Sequence, residues 1–221
     1  MSILKKNISV GNLKTKHLFL FKNYLGSQYG FRNKRLDEYL FGVDGTKNSL
    51  YDLDKTIVFL KRALNFLSLL KKKNSQFLIV GTSFKAQKLV KYLGESTNNP
   101  YVQRRWIKGL LTNWESTSSS IKFFNLFLTK LSLTKKKESK LKQTFGGLRH
   151  LTSLPDALLI IDIDSSKEAI NEAKRLNIPI IAILDNNSKQ VFDIDYPIYS
   201  NTGSTLPLFL IVSLIAQVLK N

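Results

Sequence analysis

Short, uninterrupted apolar runs alternate with stretches of helical period along most of this chain. FLIV at 77–80, ALLII at 157–161 and IPIIAIL at 178–184 contain no polar alternation, which marks strands buried on both faces. Each opens into a polar turn: Gly81-Thr82-Ser83, the acidic turn around Asp162 and Asp164, and Asp185-Asn186-Asn187. FKAQKLVKYLGE follows the first turn, with Phe84, Leu89, Tyr92 and Leu93 on one helical side, and the segment up to KEAINEAKRLN follows the second. Strands alternating with amphipathic helices predict a parallel sheet covered on both faces, joined by right-handed crossovers. Upstream, Ile57, Leu60, Leu64, Leu67 and Leu70 recur at helical spacing. Asp52 or Asp54 supplies the N-cap, and Lys71–Lys73 close the helix favourably for its dipole. A hairpin-like piece surrounds Gly42 to Gly45.

The same pattern sets the organisation. Residues 1–30 are basic and aromatic with weak periodicity and read as an extended arm. Residues 31–114 and 146–221 read as one α/β sheet domain, and 115–145 as an inserted helical hairpin. Phe123, Phe124, Phe127 and Leu131 are the apolar residues of its first helix; its second, LTKKKESKLKQTF, is mostly polar and stops at Gly146-Gly147. The apolar run from Leu206 to Leu219 is interrupted by Pro207, Ser213 and Gln217 and falls short of a membrane span. It reads as a buried terminal helix.

Charge changes the picture from fold to partners. The chain carries 34 basic against 16 acidic residues, a formal net charge of +18, with 27 lysines to 7 arginines. Such a surplus opposes compaction unless an anionic partner relieves it. Nucleic acid is the first candidate and an anionic membrane surface the second. The absence of cysteine excludes disulfides, thiolate metal sites and cysteine nucleophiles, and two isolated histidines, His17 and His150, leave little for a histidine-based centre. The first residues show neither the long apolar run of a signal peptide nor the arginine- and serine-rich character of a transit peptide.

Several stretches can carry chemistry. GTSFKAQK at 81–88 sits where parallel sheets bind phosphates, yet one glycine makes neither a P-loop nor a dinucleotide fingerprint; a tight turn capped by Thr82 or Ser83 reads as well. Asp162, Asp164 and Asp185 fall at the carboxyl ends of two strands, where open sheets hold divalent metals. A metal-dependent phosphotransferase or nucleotide-binding enzyme is one reading of them. The other is that Asp164 caps the next helix and Asp185 satisfies its own turn, or that the three hold at most a structural Mg²⁺. The lysine runs 71–73 and 135–137 suit solvated faces and phosphate contacts equally. PYVQRRWIKGLLTNW at 100–114 is the densest candidate: Arg104, Arg105 and Lys108 can meet phosphates, while Tyr101, Trp106 and Trp114 offer stacking surfaces or core packing.

PYVQRRWIKGLLTN, preceded by LFGVDGTKNSLYDLDKTIVFLKRALNFL and FLIVGTSFKAQ and followed by TFGGLRHLTSLPDALLIIDID and IPIIAILDNNS, resembles the S-two family of small-subunit ribosomal proteins, in its bacterial and organellar type. The similarity runs from about residue 17 to the end, with the blocks in family order. It implies a flavodoxin-like three-layer domain with a mainly parallel sheet, a coiled-coil hairpin, no catalytic activity and no cofactor. It also implies a structural place in the small ribosomal subunit, bound to its rRNA and to neighbouring ribosomal proteins, with no membrane and no homo-oligomer. The expected RNA-binding residues are Arg104, Arg105, Trp106, Lys108 and Asn113, with Lys85, Arg32, Lys34 and Arg35. Arg105, Trp106, Gly109, Leu111, Thr112 and Asn113 match the family's loop. The family's glycine before Gly109 is Lys108 here, which gains a cation and removes a flexible position. The hairpin is shorter than the usual bacterial one. A composition rich in Lys, Asn, Ile, Leu and Phe fits an A+T-rich genome, and points to a mitochondrion ahead of a plastid or an A+T-rich bacterium.

Overall fold

The structure, a computed structural model, describes residues 10–130 and 135–220. It opens with helix α1 (Thr15–Leu20) and the strands β1 (Leu25–Gln28), β2 (Leu40–Val43) and β3 (Asn48–Tyr51). The three strands pair antiparallel in the order β1-β3-β2, so the expected hairpin around Gly42–Gly45 is present and gains a third strand. The extended arm expected over residues 1–30 is corrected. Residues 1–9 lie outside the described residues, but Leu13, Leu18 and Phe21 are buried in the main core and β1 belongs to a sheet. Six helical residues and four strand residues are too few to show a period, which is why the pattern read as irregular.

Helix α2 (Leu53–Lys72) starts at Asp52, whose carboxylate accepts the N–H groups of Asp54 and Lys55 at 3.0 and 3.2 Å. It buries Leu60, Leu64 and Leu67. The strands β4 (Phe77–Val80), β5 (Tyr101–Val102), β6 (Ala157–Ile160), β7 (Ile180–Leu184) and β8 (Tyr196–Tyr199) form one parallel sheet of order β5-β4-β6-β7-β8. Counted along the chain, this is the 2-1-3-4-5 order of flavodoxin-like folds. Every residue of β4, β6 and β7 is buried, as strands covered on both faces require.

Helix α3 (Phe84–Thr97) buries Ala86, Val90, Leu93 and Gly94. Of the residues read on one helical side, Phe84 and Tyr92 are 86% and 46% exposed, and the helix packs through Ala86, Val90, Leu93 and Gly94 instead. The hairpin is α4 (Trp114–Lys130) and α5 (Lys135–Phe145). Phe124 and Phe127 are buried and the Phe124 ring lies 5.8 Å from that of Phe145, whereas Phe123 is exposed; Leu131 lies outside the described residues. Helix α6 (Lys167–Arg175) follows β6.

The chain closes on α7 (Thr205–Lys220), which buries Leu208, Leu210, Ile211, Leu214, Ile215 and Leu219. Helices α1, α2, α3 and α7 cover one face of the parallel sheet. The other face is covered by α6, the 102–111 segment, the base of α4 and part of the small antiparallel sheet. No helix among the described residues is long and apolar enough to cross a membrane, and most apolar residues of α7 are buried, Leu206 and Phe209 being partly exposed.

Candidate nucleic-acid interface

The 104–113 loop hangs on one buried carboxylate. Glu172 of α6 is 8% exposed. Its Oε1 accepts the indole N–H of Trp106 and the backbone N–H of Gly109, both at 2.8 Å. Its Oε2 accepts the N–H of Leu111 at 2.9 Å and that of Thr112 at 3.3 Å. Burial by itself would raise this carboxyl. The hydrogen bonds from Trp106, Leu111, Gly109 and Thr112 outweigh it and hold Glu172 below the ordinary glutamate value, as an ion. The turn that aims these N–H groups inward needs a left-handed residue, supplied by Gly109 at φ 81°. Lys108 is not among the residues of positive φ, so the backbone needs no glycine there.

The consequence for the expected site is a division of the loop. Trp106, proposed from sequence as an RNA contact, is corrected: it is 5% exposed, its ring lies in the core and its only N–H is committed to Glu172. Arg104, Arg105 and Lys108 alternate with it and are exposed. Together with the edges of Trp106 and Ile107 and with Gln143 and Thr144 of α5 they line an open groove of about 540 Å³. Arg104 donates to Gln143 Oε1 at 3.0 Å, and Lys108 lies 2.9 Å from Glu168 Oε1 in an exposed pair of the kind worth little in water. Arg105 has no acidic partner among the described residues. Asn113 is exposed one residue before α4, its carbonyl accepting the N–H of Thr117 at 3.1 Å. Trp114 is half-buried against the core.

The remaining expected cations differ in availability. Arg32 is internally committed: its guanidinium meets Asp37 at 2.6 and 3.1 Å and lies 3.5 Å from the Tyr29 ring centroid. Lys85 reaches from α3 to the carbonyl of Gly203, tying α3 to the turn before α7. Lys34 and Arg35 are exposed, with Arg35 4.9 Å above the Phe192 ring.

The three aspartates do not assemble a centre. Asp162 accepts the N–H of Asp164 and the hydroxyl of Ser165, each at 3.2 Å. The N-cap of α6 is Ser166 rather than Asp164. Burial, and then the charge of Asp162, push the Asp164 carboxyl above its ordinary value. Asp185 is 2% exposed and saturated by protein donors. Its Oδ1 accepts from Tyr51 Oη and Asn186 N at 2.8 Å each, and its Oδ2 from Ser27 Oγ at 2.7 Å and Thr202 Oγ1 at 3.3 Å. Among the described residues no group of acids and histidines is arranged to hold a metal ion, so the expected cation site at Asp162, Asp164 and Asp185 is corrected to turn and latch. At the neighbouring turn, a Cβ on Gly81 would lie 2.6 Å from Val90 Cγ2. That glycine serves the packing of α3 on β4, and not the approach of a phosphate.

The loop, the sheet order and the hairpin can be set against known proteins. Residues 18–221 match the family Ribosomal protein S2. The chain belongs to this family. Among similar proteins, small ribosomal subunit protein uS2 of Acinetobacter baylyi is 33% identical over 219 residues, covering 93% of this chain and 87% of its own. That of Hahella chejuensis is 36% identical over 191 residues, covering 80% and 75%. That of Anaplasma marginale is 38% identical over 194 residues, covering 82% and 59%. The ribosomal protein S2 family is structural and non-enzymatic, which agrees with an acidic strand edge whose carboxylates serve turns and latches. Two functional features escaped the sequence reading. Glu172 shares a helical face with Ala169 and Ala173, and a glutamate on a small-residue stripe is the signal that could have found it. The joint of Asp185 and Asn186 with Ser27, Ser49 and Tyr51 spans more than 130 residues of chain and leaves no local signature.

Proposed function

We propose that this protein is a structural constituent of the small ribosomal subunit, binding small-subunit rRNA and neighbouring ribosomal proteins, and that it works without catalysis. Membership of the ribosomal protein S2 family over residues 18–221 supports the assignment. The observation that carries the mechanism is the Glu172 anchor. It fixes the loop from inside, with Trp106 as the positioning residue, so that Arg104, Arg105 and Lys108 stand outward with their geometry already set. A preformed basic surface neutralises phosphates and displaces their counterions, and it meets folded RNA through shape and backbone more than through base sequence. Asn113, Lys34 and Arg35 extend the RNA-facing set, whereas Trp106, Arg32 and Lys85 serve the protein's own structure.

The lysine-dominated charge, 27 lysines to 7 arginines, and the asparagine- and isoleucine-rich composition support a mitochondrial ribosome as the compartment. The protein acts there as a single copy held by RNA and not by copies of itself. The test is sedimentation of the tagged protein from fractionated native cells. The expected result is co-sedimentation with the mitochondrial small subunit, and partial release of a variant carrying Arg104→Ala, Arg105→Ala and Lys108→Ala. A wild-type protein that stays at the top of the gradient contradicts the function; one found only on cytoplasmic ribosomes contradicts the compartment alone.

A further inference from the structure

Away from the 104–108 loop, a second surface combines cations with an exposed ring. Phe192, in the turn Val191–Asp193 between β7 and β8, is 70% exposed. The Arg35 guanidinium carbon lies 4.9 Å from its ring centroid, within the range of a cation–π contact. The two come from segments far apart in sequence, and the structure pins them together nearby: Asn33 donates its backbone N–H to Asn186 O at 2.7 Å and its side-chain amide to Ser188 O at 3.0 Å. The pairing of Arg35 with Phe192 is therefore built on a fixed joint.

Three of the acids around this surface are met inside the protein. Asp37 is taken by Arg32, Asp193 by Lys174, and Asp195 accepts the N–H of Ile180 at 2.8 Å. Glu38 is exposed with no ion pair among the described residues, and Asp164 lies within the electrostatic reach of Lys189. Arg35, Lys34 and Lys189 are exposed and have no acidic hydrogen-bond or ion-pair partner among the described residues. Phe31, 74% exposed, lies two residues before Asn33. A solvent-facing ring capped by an arginine gains the fold only the small cation–π contribution of an exposed site, less than the burial that usually makes a phenylalanine stabilising. Aromatic rings set among cations are, by contrast, how proteins hold unpaired nucleotides, the base on the ring and the backbone on the charges.

We propose that Phe192 and Arg35 form a stacking platform for an unpaired nucleotide of the RNA this protein binds, with Lys34 and Lys189 meeting the adjoining phosphates. This rests on the ribosomal reading above and adds a specific contact to it. A neighbouring protein seated on Phe192 is the competing occupant. Phe192 also lines a cleft with Asp193 and Asp195, but these are met by Lys174 and by the N–H of Ile180, so the unpaired charges of Arg35, Lys34 and Lys189 argue for the nucleotide.

The experiment irradiates purified small subunits from cells expressing the tagged protein at 254 nm, then maps nucleotide adducts on its peptides by mass spectrometry. Salt-induced release is compared in parallel for wild type, Phe192→Leu and Phe192→Trp. The proposal expects an adduct on the Phe192 peptide. It also expects release of Phe192→Leu at lower salt, corresponding to about a tenfold loss of affinity or more for one lost base–aromatic stack, while Phe192→Trp stays bound. Phe192 is exposed, so leucine removes the ring without opening a cavity. A protein that sediments with the small subunit but carries no adduct there, or whose leucine variant is released like wild type, overturns the platform and leaves the ribosomal function standing. A zero-length protein–protein crosslink at Lys189 that shields Phe192 from irradiation overturns it in favour of a protein occupant. Absence of the protein from the small subunit overturns both.

Discussion

Glu172 sets what the basic loop can present. Four N–H groups converge on its two oxygens, and glutamine in its place turns an acceptor into a donor facing donors. Glu172→Gln is expected to cost about 1–3 kcal/mol at neutral pH, the usual penalty for leaving buried donors unpaired, measured by urea unfolding. The sign with pH follows from the lowered carboxyl. Its stabilisation is fully present above the ordinary value of 4.5 and is lost as pH falls through the lower folded value. The stability gap between wild type and Glu172→Gln therefore narrows below pH 4.5; a gap that widens there contradicts the anchor. Gly109→Ala is expected to cost about 1–2 kcal/mol through its backbone conformation, because the added Cβ would sit at an ordinary 3.4 Å from Asn113 Cβ. At this scale the sequence showed which residues were cationic but not which way each faced. Trp106 and its neighbouring arginines look alike in a string, and only the acceptor 66 residues away turns the ring inward and leaves the cations out.

Among the elements, those with long runs of one period were legible and the short ones were not. β4, β6 and β7 read directly as buried strands, and α2 read from its apolar spacing, with the structure choosing Asp52 over Asp54 as its cap. The small sheet did not, because β1 is four residues long and its meaning lies in a long-range joint. Asp185 and Asn186 reach across to Tyr51, Ser27 and Ser49, fastening β1 and β3 to the carboxyl end of β7. This joint explains why the acidic strand edge looked catalytic in sequence: the same position that holds a metal in an enzyme of this topology here holds a second sheet. Tyr51→Phe removes the 2.8 Å bond to Asp185 while keeping the buried ring. It is expected to lower stability by about 1–2 kcal/mol and to speed amide hydrogen exchange selectively in β1 and β3, with β4 and β6 unchanged. Uniform acceleration over the whole chain would mean that the small sheet is not a separately fastened element.

For the molecule as a whole, the charge of +18 and the preformed loop make one quantitative demand. If Arg104, Arg105 and Lys108 meet phosphates, binding to small-subunit rRNA weakens with salt, and each removed contact lowers the slope of log K against log salt by about 0.7–0.9. Single alanine variants at these positions are expected to reduce that slope by about one contact each while leaving unfolding midpoints unchanged. A loss of affinity with an unaltered slope would show that the cations act indirectly. The parallel sheet covered on both faces and the inserted hairpin were legible from the alternation of apolar runs and helical stretches, whereas the flavodoxin-like order came only from the family resemblance; the face that meets RNA depends on which side chains the packing leaves outside. The measurement that bears most directly on the whole account is RNA–protein crosslinking in native cells, read residue by residue in the gradient fraction that contains the small subunit. The account predicts crosslinks from Arg104, Arg105 or Lys108 to small-subunit rRNA and none from Trp106. Crosslinks at Trp106, or a loop that reaches no RNA in a subunit that contains the protein, would contradict it.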